Sequence, residues 1–314
     1  MKEKIRYYLK VFAVSVLPSY LIFTVAMFPY SELSNLVTSQ VAKLSANQVI
    51  LQFKDMGFQF IPSLGLDFQE VKVKGSMLPE LSMESLNLSP SISGLLAFKP
   101  GVRIGATGLY GGDLLVNTKG DEENSKGVLK HAIDIEASKI LIGSILKEVN
   151  IPIKVNGELN LDLNGVIDPS FTDEPDLNLD FNISPFKLSG GNINTGVMGD
   201  ISLPPLNLKK ATFKGNLKAN KLRISSFQIG STQEAVQISL KGNLDLRFQP
   251  GPAGPRARPG AYELEIEINA GPEFEKDFGL YLGFLEQYKR PSGNRNIYSM
   301  KLSGLNFRQQ PNMQ

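Results

Sequence analysis

The sequence has no cysteine and only one histidine, His131. Without thiols there is no disulfide framework and no thiolate nucleophile, and without a second imidazole nearly every zinc or copper site built on Cys/His ligands is excluded. The absence of cysteine leaves the compartment open, since such a chain suits cytosol and periplasm equally. An excess of either charge is also missing: 33 Lys and Arg stand against 31 Asp and Glu. Nothing in that balance predicts nucleic acid or a strongly acidic substrate. What remains is a chain of 314 residues, 42% hydrophobic and 20% charged, which is globular in composition and long enough for a substantial core.

Charge is also absent between Lys10 and Glu32, where the sequence runs VFAVSVLPSYLIFTVAMFPYS. At 1.5 Å per residue, this run matches the roughly 30 Å hydrocarbon core of a bilayer. The preceding decapeptide carries Lys2, Lys4, Arg6 and Lys10 against Glu3. The positive-inside rule therefore predicts a cytoplasmic segment over 1–10, a membrane-spanning helix over 11–31, and the rest of the chain outside. A cleaved signal peptide is the competing reading. The apolar run exceeds the usual h-region, however, and no small-residue cleavage site follows it.

Leu33, Leu36, Val37, Val41 and Leu44 recur at helical spacing and predict an amphipathic helix over 32–48. From Val49 onward the period is two. Leu159, Leu161 and Leu163 show it, as do Leu177, Leu179, Phe181 and Ile183, and so do Leu264, Ile266 and Ile268, with mostly polar residues between them. Turn residues rather than long helices separate these runs, which predicts antiparallel meanders over 49–314. Two short helices are expected near 138–149 and 272–288, the second entered through Gly271-Pro272. Four pieces, beginning at Lys154, Thr212, Ser239 and Met300, share a lysine, a turn residue, a glycine and alternating leucines. They fit an internal repeat, and equally the common appearance of amphipathic strands after a glycine.

Glycines at 105, 108, 111 and 112 are spaced almost like a phosphate-binding loop. Such a loop must open into a helix whose N-terminus supplies N–H groups, but DLLVNTKG follows instead, with no Lys-Ser/Thr pair. A hairpin turn or bulge is the expected role. His131 shares strand parity with Ile133 and Ile135 and has no marked nucleophile beside it, so it reads as a half-buried sheet residue. The acidic stretch with Asp168, Asp173, Glu174 and Asp176 lacks the ligand spacing of a dedicated calcium loop and reads as a solvated turn. Residues 249–260, QPGPAGPRARPG, read as an exposed loop outside the sheet ladder, joining two strands that pair as one hairpin. Within it, Arg256 and Arg258 are candidates for contact with an acidic partner or lipid headgroups, set against a merely solubilising role. No catalytic, cofactor or metal site emerges, and the chain reads as a non-enzyme.

One stretch carries a resemblance. From Leu88, LSPSISGLLAFKPGVRIGATGLYGGDLLV resembles the AsmA-like periplasmic segment in which a Ser-Pro-Ser turn leads to Leu-Leu, Lys-Pro and a strand ending Leu-Tyr-Gly-Gly. Here those positions are Ser89, Pro90, Ser91, Leu95, Leu96, Lys99, Pro100, Leu109, Tyr110, Gly111 and Gly112. Together with the N-terminal apolar run, LPPL at 203–206 and the closing KLSGLNFRQQP, the chain is similar to the protein N (GspN) family of the type II secretion system. The resemblance implies a single-pass protein of the bacterial inner membrane, with an elongated, mainly β, AsmA-like periplasmic domain and a few short helices. It further implies an accessory of protein secretion without catalysis or cofactor, in contact with other secretion subunits. The alternative it allows is lipid transfer, with acyl chains held along an apolar sheet face. A covered apolar face favours the scaffold, and an uncovered trough favours lipid.

Overall fold

The computed structural model describes residues 27–45, 47–59, 64–75, 80–91, 98–148, 154–194, 200–249, 256–306 and 312–313, together with isolated positions before 27 and Gly94 and Leu96. Nearly all of it is one 17-stranded antiparallel sheet. The strands follow one another as a meander: β1 (Val49–Gln52), β2 (Asp55–Gln59), β3 (Gly65–Gly75), β4 (Leu81–Pro90), β5 (Val102–Leu109), β6 (Gly112–Glu123), β7 (Leu129–Leu141), β8 (Val155–Ile167) and β9 (Asp176–Leu188). A separate hairpin of β10 (Gly191–Asn194) and β11 (Asp200–Leu203) interrupts the run. The sheet resumes with β12 (Leu206–Leu208), β13 (Ala211–Lys218), β14 (Lys221–Gly230), β15 (Val236–Gln249), β16 (Arg256–Ala270), β17 (Lys289–Ser292), β18 (Arg295–Gly304) and β19 (Asn312–Met313).

Two breaks lie within this order. β1 and β2 share one edge of β3, and β12 and β13 share one edge of β9. Because each strand reverses the last, alternate connections fall on the same end. One end, here the upper rim, carries the β2–β3, β4–β5, β6–β7, β8–β9, β13–β14 and β15–β16 connections. The lower end carries the others.

Registry sorts the side chains into two faces. Leu66, Leu88, Ile104, Val116, Ile135, Leu163, Leu179, Gly215, Ile224, Gly242, Leu264 and Leu302 are cross-strand neighbours in turn, so one apolar row crosses the sheet from β3 to β18. The residues beside them, such as Asn87, Asn117, Asp134, Asn164, Asn178, Asn216, Arg223, Asn243 and Glu263, make the other face polar. Antiparallel sheets support this alternation because one face can stay wet.

Three helices lie on or beside the apolar face. A 3₁₀ turn over Tyr30–Leu33 leads into α1 (Ser34–Leu44). Tyr30 stacks on Phe58 at the upper rim, 5.7 Å between ring centroids, and Ser45 Oγ accepts from Val49 N where β1 begins at the lower end. The helix therefore descends along the first strands. α2 (Ile142–Glu148) joins β7 to β8. α3 (Pro272–Leu282) has Gly271 as its N-cap and Pro272 in its first turn, as expected, and continues as a 3₁₀ helix over Gly283–Tyr288.

Two sequence expectations are corrected here. The helix expected from 138 begins only at Ile142, because a bulge at Lys139, with φ 57°, lets β7 continue and sets Ile140 opposite Leu159. Likewise the strand resumes at Arg256, before the proline-rich segment ends. Arg258 pairs with Arg247 and Pro259 with Leu246, so only 250–255 remain as the connection, and these lie outside the described residues. The register shift at Leu244/Leu246 is where a proline without an N–H is tolerated. The two runs do pair as one long hairpin.

Most of the expected 1–10 and 11–31 segments lies outside the described residues. The positions described between Phe12 and Thr24 are helical, and Phe12, Val16, Tyr20 and Phe23 are exposed. Among the described residues, no helix is long and apolar enough to cross a membrane.

Candidate functional site

The apolar face is covered by helices at two places and is less fully buried between them. Under α1, Leu51, Met56, Phe68, Val71 and Met83 are buried, and Leu33, Val37 and Val41 pack on them. Under α3, Val236, Ala270, Tyr298 and Met300 are buried with Phe274 and Leu282 of the helix. Between these clusters, Ile133, Ile135, Leu163, Leu179, Phe181, Phe213, Ile224, Leu240 and Leu244 all face the same side, and all are only partly buried. Packed interiors leave few voids larger than a water molecule. Ile183 and Leu217 are buried within this span, and the partly buried Leu, Ile and Phe around them line a loosely packed apolar trough rather than a fully packed core. β7, β8, β9, β13, β14 and β15 lie side by side there, about 24 Å across at the usual strand spacing.

A sheet of this many strands curls. Phe171, in the β8–β9 loop, stacks on Phe248 of β15 at 6.0 Å although β9, β13 and β14 lie between. At the lower end Phe186 of β9 and Tyr298 of β18 belong to one cluster with α3. Both contacts draw the apolar face inward on itself.

The α3 cap is fixed by a polar cluster that no sequence pattern marked. Glu275 accepts from Tyr298 Oη at 2.6 Å and from Asn296 Nδ2 at 2.8 and 2.7 Å, with Lys289 Nζ at 3.6 Å. Burial by itself would raise its pKa, yet these donors and the ammonium hold the carboxyl below its ordinary value. Burial, and then the adjacent carboxylate, push Tyr298 up to about 12. Lys289 Nζ also sits 5.9 Å from the Tyr298 ring centroid. Glu275 is on the first turn of α3 and Asn296 and Tyr298 are on β18, so the signal lay in a pairing distant in sequence.

At the upper rim Asp168 closes the β8–β9 loop. Its carboxylate, only 2% exposed, accepts from Asn124 Nδ2, Ser170 N and Oγ, Thr172 N and Asp173 N, at 2.7 to 2.9 Å. Burial opposes ionisation here, but the Asp173 N–H, the Ser170 hydroxyl, Asn124 and the Ser170 N–H outweigh it and hold the acid well below the ordinary carboxylate range. Asp173 instead pairs with Lys130 at 3.6 Å. The oxygens that a calcium ion would need from Asp168 are already occupied, and among the described residues no cluster of acids or histidine is placed to hold a metal.

The other sequence candidates separate. Arg258 is exposed at a position on the polar face, and Arg256 occupies the strand position opposite Gln249. In the family-like stretch, Ser89 is buried at the end of β4, Pro90 is exposed, and Leu95 lies outside the described residues. Leu96 is 79% exposed, Lys99 reaches Asp121 at 3.6 Å, and Pro100 O accepts from Gly120 N. Leu109 is buried and pairs with Gly112 across a two-residue turn, Tyr110-Gly111, with φ 50° and 82°. These are the torsions of the hairpin turn anticipated there. A Cβ on Gly112 would lie 2.3 Å from Ser138 O, so the spacing that mimics a phosphate loop serves strand packing. His131 is half-buried in β7 between Gly120 and Ile167, as expected.

The polar face is hollowed by a depression of about 500 Å³ over Asp113, Glu136, Asn160, Asp162, Asp180 and Asn182. Polar contacts run through and beside it. Asn160 donates to Asn182, Asn178 to Asn164, and Lys214 meets Asp180 at 2.7 Å. Comparison with family models, curated proteins and solved structures finds no match to this chain.

Proposed function

We propose that this protein is a membrane-anchored, non-enzymatic carrier whose curled sheet shelters lipid acyl chains along its apolar face. The observation that supports this reading is the partly buried row from Ile135 through Leu163, Leu179, Phe181 and Phe213 to Leu244, which no helix covers with a buried cluster. Its width of about 24 Å exceeds the half-thickness of a bilayer core, roughly 15 Å, which one acyl chain spans. Each methylene moved there from water contributes about 0.8 kcal/mol, so a chain of about a dozen methylenes contributes on the order of 10 kcal/mol before ordering costs. The reading places the apolar run 11–31 in the bacterial inner membrane and the sheet in the periplasm. Solvent extraction of the purified full chain followed by mass spectrometry tests it. Bound phospholipid near one per chain is expected, with marked loss in Leu179→Asp; lipid-free protein would reject the reading.

The secretion reading is kept as a second one. It rests on the LSPSISGLLAFKP…LYGG resemblance, which falls on one contiguous unit, β4 through the β5–β6 turn. In it, contact with other type II secretion subunits is the function. Loss of exoprotein secretion on deleting the gene, restored by a Leu179→Asp variant that binds no lipid, would favour it over the carrier.

A further inference from the structure

The upper rim differs from the rest of the surface in three ways. First, apolar residues stand out from it at separate loop tips: Leu64 (56% exposed), Leu96 (79%), Phe98 (97%), Val128 (38%) and Leu305 (74%). These belong to the β2–β3, β4–β5 and β6–β7 connections and the turn after β18, so they span the sheet from one edge to the other. Second, cations without a carboxylate partner collect at the β15–β16 tip. Arg247 and Arg258 are paired in register, both exposed, and neither forms an ion pair among the described residues. Like charges directly opposite one another destabilise a ladder unless an anion offsets them. Lys126 and Lys221 at neighbouring tips also form no ion pair among the described residues, but the cation opposite Lys221 is Lys218, which Asp176 offsets, and Lys99–Asp121 and Lys130–Asp173 are matched. Third, the N-terminal apolar run enters the fold here. Phe28 packs edge-on against Tyr30, and Tyr30 stacks on Phe58, whose strand ends at this rim.

We propose that the upper rim docks on an anionic phospholipid surface, with Phe98, Leu96 and Leu305 entering the interface and Arg247 and Arg258 meeting headgroups. Separate tips on one rim do not form the contiguous apolar patch that a folded protein partner buries. A fluid, planar partner accepts each tip independently, and basic residues near an anionic leaflet add attraction that salt screens. Docking this way would set the rim end of the trough, where Phe171 meets Phe248, against the bilayer. The proposal rests on the anchored reading of 11–31 for its orientation, and goes beyond it in naming which end of the sheet touches lipid.

The chain has no tryptophan, so a single one reports its own surroundings. Phe98→Trp, Leu305→Trp and, at the opposite end, Phe284→Trp (78% exposed) are all solvent positions, where folding is checked by circular dichroism. Each full-length variant is reconstituted into vesicles with and without anionic lipid, floated, and read for quenching by lipids brominated on their acyl chains. The expected result is blue-shifted, strongly quenched emission at 98 and 305, none at 284, and a drop at 305 when Arg247→Glu and Arg258→Glu are added. Chains that float with 98 and 305 unquenched would overturn the docking while leaving the anchor intact, and would assign the tips to a protein partner. Equal quenching at 284 would overturn the orientation, and failure to float would defeat anchor and docking together.

Discussion

The two caps on the apolar face are built differently. α1 rests on the first strands through half-buried Leu33, Val37 and Val41, and among the described residues its one side-chain tie to the sheet is at its C-cap, where Ser45 Oγ meets the backbone of Val49 just beyond it in the chain. α3 buries Phe274 and Leu282 and is tied to β18 by the Glu275, Asn296 and Tyr298 hydrogen bonds. Apolar contact is non-directional, whereas hydrogen bonds to a carboxylate fix position. One cap is therefore located by its connections and the other by its own contacts. The lower end is held by α3, and the α1 side, beside the rim where Phe28 and Tyr30 enter the fold, is the side that can yield.

That contrast sets the size of mutational effects. Phe274→Ala should be the most damaging change, removing about 4 kcal/mol as a buried aromatic does, whereas Val37→Ala should cost about 1 kcal/mol. Denaturant unfolding of the two variants measures the gap, and equal losses would erase the distinction between the caps. Tyr298→Phe should follow at about 2 kcal/mol, the range for a buried hydrogen bond to a charged group. It also has a pH signature. The folded-state pKa of Tyr298 is raised to about 12, so its contribution is fully present below the unfolded value near 10 and is lost as pH rises through about 12. Wild-type stability should fall over that window, and the Phe variant should lose the inflection.

Asp168 tests the rim in the opposite pH direction. Its folded pKa is depressed, so its stabilisation is present above the unfolded value of about 3.9 and is lost as pH falls toward the folded one. Asp168→Ala should lower the melting temperature at neutral pH by leaving the Ser170, Thr172 and Asp173 N–H groups without their acceptor, and the deficit should shrink on acidification. A deficit independent of pH would assign the loss to packing. The smallest effect is expected from shortening 250–255 to an Asn-Gly turn. Halving a loop changes closure entropy by only about 0.6 kcal/mol, so melting should hardly move. A large loss would show that the segment packs on the rim.

Strand alternation was legible because a sheet with one wet face must place Leu159, Leu161 and Leu163 on the other. The entry to α3 was legible from Gly271-Pro272, and the long hairpin from matched alternation on either side of the proline segment. What could not be read depended on local backbone exceptions or on distant partners. A bulge at Lys139 reset the parity that made 138–141 look helical, and a register shift admitted Pro259 to the ladder. Glu275 met Asn296 and Tyr298, and Asp168 met Asn124, only through the fold. The trough was visible as a pattern of apolar positions, but whether it was covered depended on where α1 and α3 came to rest.

Residues 178 and 179 are neighbours on β9 with opposite exposures: Leu179 turns to the trough, and Asn178 to the polar face, where it bonds Asn164. A photoreactive amino acid placed at each position in turn, in the full chain incubated with lipid vesicles, reads the central claim directly. The account predicts lipid adducts from position 179 and none from 178. Adducts from neither position, or from both alike, would contradict an apolar face that carries lipid.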